Sequence, residues 1–155
     1  MTTTCIAIVD ASRARLFTLV RDVEADGVHE QLSEIRSLVN PARRQRPSEL
    51  FADNGPADDH RAAHIDDMDA GFARDVTSEL LDVLRASSAG RLIVCASPRM
   101  LGELRSAGPE LRRSGLEIDE VPRNLTKLTP PELRDQLASY GLLPQPAPRT
   151  VEHRA

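Results

Sequence analysis

Residues 91–108 read RLIVCASPRMLGELRSAG. The run LIVCA is continuously apolar and short, the pattern of a strand covered on both faces rather than one with a wet side. Ser97 and Pro98 then end the strand and begin a helix. Ser97 offers a side-chain oxygen to the free N–H groups of a first turn, and Pro98 brings the backbone angle of a first helical position without an N–H to leave unpaired. A buried strand feeding a capped helix belongs to an α/β sheet with helices on its faces.

Upstream, CIAIV, DASRA and RLFTLV predict two strands joined by a short turn, with Asp10 as the turn former. A second turn signal spans Asp22 to Gly27, and VHEQLSEIRSLV predicts a third, irregular strand, which completes an antiparallel meander. Residues 40–66 have no sustained period and carry Pro41, Pro47 and Pro56, so they are expected to form a long loop. Phe72, Val76, Leu80, Val83 and Leu84 recur at helical spacing and predict an amphipathic helix over residues 68–87. Downstream, LEIDEV predicts a strand. In LTPPEL, Thr129 is the expected cap, Pro130 the helix start, Glu132 the partner in a capping box, and Leu128 a staple to Leu133. The last helix is expected to end near Tyr140 and Gly141. The order predicts a mixed sheet, an antiparallel meander followed by parallel strands, flanked by helices. One α/β domain over residues 1–143 and a disordered Pro-rich tail over 144–155 are expected.

Composition narrows the function classes. A formal charge of -4 argues against general avidity for nucleic acid or anionic membrane, so any such contact must be local. The start MTTTCIAIVD has no basic segment leading into a long apolar one, and no apolar run approaches the roughly 20 residues that span a bilayer. A cytoplasmic protein with no membrane contact is expected. Cys5 and Cys95 sit in separate apolar runs and make no metal-spacing motif, which predicts two buried free thiols.

Three segments could carry function. In DDHRAAHIDDMDAG, residues 58–71, His60 and His64 are four apart, a spacing zinc can use on a helix, with Asp59 or Asp67 as oxygen ligands. HRAAH lacks the Glu of a zinc peptidase motif. Asp66, Asp67 and Asp69 have a simpler expected role at the start of the following helix, where carboxylates complement the dipole. Ser97 at a helix N-terminus, with Arg99 in its first turn, could hold a phosphate or carboxylate. Arg43, Arg44 and Arg46 form the one dense basic cluster, placed in the long loop, which suits contact with RNA phosphates.

The stretches VDASRARLF, NPARR, GFARDVTSELL, LIVCASPRMLGELR and EVPRNLTKLTPPEL together resemble the bacterial host attachment protein family, also called proteins required for attachment to host cells. The resemblance runs over residues 4–138. It implies kinship with the central domain of peptide-chain release factors and an RNase H-like arrangement, and it brings a translation-related hypothesis without an established reaction. The chain has no Gly-Gly-Gln, so peptidyl-tRNA hydrolysis by that motif is not implied.

An RNase H-like sheet also raises two-metal nuclease chemistry, which needs converging carboxylates. Asp10 ends the first strand suitably, but LIVCA ends in Ala96 and Ser97. The expectation is therefore a non-catalytic binding module that contacts the ribosome or structured RNA and needs no cofactor. The competing expectation is a metal-assisted hydrolase or nuclease built from Asp10, His60, His64 and Ser97.

Overall fold

β1 (Thr2–Val9), β2 (Arg13–Glu24) and β3 (Gly27–Val39) form the predicted meander, and β4 (Arg91–Ala96) and β5 (Glu117–Val121) extend the sheet on the other side of β1. The computed structural model describes residues 1–41, 58–113 and 115–145, with residues 58–67 and 113 described by backbone alone. The sheet order is β3-β2-β1-β4-β5. β2 runs antiparallel to β1 and β3, whereas β1, β4 and β5 are parallel. This is the connectivity of an RNase H-like sheet. Helices α1 (Asp58–Ser87), α2 (Pro98–Ala107), α3 (Pro109–Arg113) and α4 (Pro130–Ser139) complete the described elements. None of them is long and apolar enough to cross a membrane.

The period-2 pattern of β1 sorts its side chains onto two apolar layers. Cys5, Ala7 and Val9 are small and face α1 and α2, where Phe72, Val76, Leu80, Met100 and Leu104 fill the space. Ile6 and Ile8 face the other way, toward Leu125 and the α4 residues Leu133 and Leu137. Small residues under the long helix let it approach the sheet, and large ones fill the gap beneath the shorter helix. Both cysteines are buried free thiols, as expected, and burial pushes Cys95 up to about 12.

β3 is the sheet edge and is exposed along most of its length. Its irregularity is a β-bulge: Leu16 pairs with Arg36 and Phe17 with Glu34, so Ile35 is an extra residue.

Two boundaries differ from expectation. α1 starts at Asp58, so residues 58–66, expected to be loop, are helical and the helix gains ten residues over the predicted start at 68. The added turns, DDHRAAHIDD, hold Arg61, Ala62 and Ala63 as good helix formers and no Gly or Pro but carry no apolar stripe, so periodicity could not find them. The other boundary is the tail. Pro144 O accepts from Arg134 Nη2 at 2.7 Å and Gln145 Nε2 donates to Ala138 O at 3.2 Å, so the fold continues past residue 143. The rest of the expected disordered tail, 146–155, lies outside the described residues.

Candidate functional site

Val9 and Ala96 are in register, so the next residues, Asp10 and Ser97, stand side by side at the carboxyl ends of two central parallel strands. This end of an open α/β sheet is where ligand crevices form. The structure brings Asp10, Asn40, Asp69, Ser97, Arg99 and Thr126 to it.

Asp10 is the turn former that DASR predicts, since its Oδ1 accepts from the backbone N–H of Ser12 at 2.7 Å and of Arg13 at 2.8 Å. It also reaches across the chain. Thr126 Oγ1 lies 2.7 Å from both Asp10 Oδ2 and Asn124 Oδ1, and with one hydrogen to give it donates to the charged acceptor. Partial burial opposes the charge on Asp10, but the Thr126 hydroxyl, the two backbone N–H groups and the Arg13 charge outweigh it. They hold the carboxyl below its ordinary range.

Arg13 and Arg15, two residues apart on β2, fasten the same segment from the side. Arg13 Nη2 donates to Thr126 O. Arg15 Nη1 donates to Thr126 O at 3.1 Å and Leu128 O at 2.7 Å, while its Nε and Nη2 grip Glu34 at 2.9 Å each. The guanidinium lies 5.1 Å from the centre of the buried Phe17 ring. The hydrogen-bonded pair holds the Glu34 carboxyl below its usual range. From Asp10 to Thr126 the contact closes a loop of 116 residues. Sequence reading missed this latch. Its only trace is an Asn-Leu-Thr before the α4 cap and two arginines, two residues apart, at the start of β2.

A second polar group ties β3 and α1 to the turn. Asn40, 1% exposed, donates its Nδ2 to Ala11 O at 2.8 Å and to Asp69 Oδ1 at 3.0 Å, and its backbone N–H to Ser12 O at 2.8 Å. Asp69 is also 1% exposed and pairs with Arg99 Nη2 at 3.5 Å. The expected helix-start role for Asp66, Asp67 and Asp69 is thus corrected, because α1 begins at Asp58 and puts all three well inside the helix. Asp58 and Asp59 take the helix-start position instead.

Ser97 is the N-cap of α2, accepting from Met100 N at 3.3 Å, and remains exposed. Arg99 stands in the first turn as predicted, its charge turned toward Asp69. His60 and His64 fall on the helical backbone of α1, and their side chains lie outside the described residues, as do Arg43, Arg44 and Arg46 entirely. Among the described residues, Glu24, Asp26 and His29 bring ligand atoms within 4.8 Å of one another. All three are exposed at the β2–β3 hairpin tip, far along the strands from Asp10.

The strand order and the flanking helices define the class: a mixed α/β domain with a five-stranded sheet, its β1 end fastened by its own side chains. The chain belongs to the family described as "Protein required for attachment to host cells", whose profile matches residues 5–137. No curated protein matches it in sequence. Among solved structures, Thermus thermophilus RuvC is 13% identical, with 94% of this chain and 84% of that one covered and a TM-score of 0.40. An Aquifex aeolicus member of the Ppx/GppA family is 13% identical over 77% of this chain, with a TM-score of 0.34. This chain spans only 35% of that protein's length.

Proposed function

We propose that this chain is a non-catalytic binding module that contacts structured RNA or the translation machinery through the segment carrying Arg43, Arg44 and Arg46. The observation that carries the reading is the occupancy of Asp10. Its oxygens already accept from Ser12, Arg13 and Thr126, so the carboxylate that a metal-dependent hydrolase of this fold would use serves to hold the chain together. The sheet end is a scaffold on this reading, and what it presents matters more than what it could cleave. The arginine-bearing segment joins the fold at Asn40, which is pinned to Ala11 and Ser12 beside the exposed Arg13. Ser97 and Arg99, exposed at the same end, extend the surface an RNA phosphate or carboxylate could meet. Attachment to host cells, in the family's description, then follows indirectly from action inside the producing cell.

Co-sedimentation with ribosomes across a potassium series tests the reading. Replacing Arg43, Arg44 and Arg46 by Ala is expected to weaken association and to flatten the log–log salt slope by roughly two to three units, about 0.7 to 0.9 for each lost phosphate contact. Folding should be unchanged if these arginines serve RNA phosphates, because solvated charges contribute little to stability. Identical behaviour of wild type and triple variant, or no sedimentation of either, removes the proposal. Elemental analysis of untagged protein separates the competing hydrolase: near-stoichiometric zinc or nickel, lost in a His60→Ala, His64→Ala variant, would favour the enzyme.

A further inference from the structure

A groove of about 490 Å³ runs between the β2–β3 ribbon and residues 127–130. Its volume is that of a small-molecule site. Arg13, Arg15 and Lys127 line it together with one carboxylate, Glu34. Glu34 is gripped at both oxygens by Arg15, which neutralises that pair and leaves Arg13 and Lys127, both exposed, as the cations the groove offers. Arg13 donates to Thr126 O, a neutral acceptor that orients the guanidinium without cancelling its charge, and this sets it beside residue 127. Asp10, whose carboxyl the Arg13 charge helps to hold low, does not line the groove, and its oxygens have three donors of their own. In a chain of net charge -4, two cations on one groove are a local reversal of sign. Lys127 is the chain's single lysine.

The remaining lining is apolar in large part: Leu38, Leu128 and Pro130. A hydrated inorganic anion has no use for such a wall. A phosphate joined to a flat, weakly polar ring uses both halves, the phosphate on the two cations and the ring on the apolar side. We propose that this groove seats a single nucleotide, its phosphate held by Arg13 and Lys127 and its base against Leu38, Leu128 and Pro130. The inference deepens the RNA reading, and rests on it where the nucleotide is part of a strand. The nucleotide is either a free nucleoside monophosphate or the phosphorylated end of an RNA.

Calorimetric titration of the full chain tests it with the four ribonucleoside 5′-monophosphates, inorganic phosphate, and a short oligoribonucleotide with and without a 5′-phosphate. At least one monophosphate is expected to bind more tightly than inorganic phosphate. Lys127→Ala should weaken that binding by roughly tenfold or more, the usual loss for a charge-assisted contact, and Lys127→Arg should restore most of it. Lys127 is exposed, so its removal leaves the Asp10–Thr126 latch intact. Absence of monophosphate binding to wild type, or equal affinity in wild type and Lys127→Ala, overturns the inference. Competition between the 5′-phosphorylated oligonucleotide and the monophosphate supports the strand end as source, and its absence supports the free nucleotide. The two proposals fail separately. If the groove is silent while the triple arginine variant still loses ribosomes, the groove falls alone. Nucleotide binding without any ribosome association leaves the groove standing and removes the ribosome contact.

Discussion

The carboxyl ends of β1 and β4 lie side by side and are finished in opposite ways. β4 ends locally: Ser97 caps the helix that follows it, and donor and acceptor are three residues apart. β1 ends globally: Asp10 closes its own turn and also fastens Thr126, while Arg13 and Arg15 hold the backbone carbonyls of Thr126 and Leu128. The difference teaches where this fold's tertiary specificity lies. A helix cap forms with its own helix, whereas the latch exists only when the meander and the segment before α4 are both in place.

The largest expected effect tests what the latch seals. Leu133 is fully buried in the apolar layer beneath the latched segment. Leu133→Ala is predicted to cost about 2 to 5 kcal/mol, the range for truncating a buried leucine. A chemical denaturation midpoint close to wild type would mean that this half of the sheet is not closed as described.

Asp10→Ala comes next, at roughly 1 to 3 kcal/mol, because it removes a charged acceptor shared by two backbone N–H groups and the Thr126 hydroxyl, and leaves that hydroxyl only Asn124 Oδ1 to bond. The effect has a pH signature. The folded carboxyl is held below its ordinary value near 3.8, so its stabilisation is present above that value and is lost as pH falls through the lower, folded one. The difference in stability between wild type and Asp10→Asn should therefore shrink as pH drops below about 4. Glu30 and Glu34, also held low by arginines, add to the acid loss in both proteins and cancel in the difference. A constant gap from pH 6 to 3 would sink the ionised latch.

The smallest effects belong to the local caps. Thr129→Ala and Ser97→Ala are each predicted to cost about 0.5 to 2 kcal/mol. Thr129 should stand at the upper part of that range, because its capping box is reciprocal: Thr129 Oγ1 accepts from Glu132 N at 3.3 Å and Thr129 N donates to Glu132 Oε1 at 3.1 Å. Should Ser97→Ala destabilise as much as Asp10→Ala, the contrast between a local and a global strand end disappears.

The same contrast explains what the sequence disclosed. Ser97 with Pro98, and Thr129 with Glu132, are signals contained within four residues, and the structure realises both. Most strands were legible because their apolar runs are short and continuous, and β3, whose alternation is loose, was legible from the turn signal before it. The bonds from Asp10 to Thr126 and from Asn40 to Asp69 join residues 116 and 29 positions apart, and no local pattern announces either. Asp69 illustrates the failure well. It stands among acids that suit a helix start, and only the placement of the true start at Asp58 shows it to be a buried partner of Asn40. Of the candidate sites, Ser97 was placed correctly as a cap, while the groove beside Lys127 needs β2, β3 and the segment before α4 assembled before it exists.

The bulge at Ile35 bears on how the protein behaves at high concentration. β3 is a long, exposed sheet edge, and Val28, Ile35 and Val39 on it are open to solvent, which is the profile of a strand that recruits another of its kind. The extra residue breaks the even spacing of outward N–H and C=O groups, so an incoming strand in register on one side of Ile35 is out of register on the other. One inserted residue thus guards an otherwise adhesive edge against runaway polymerisation.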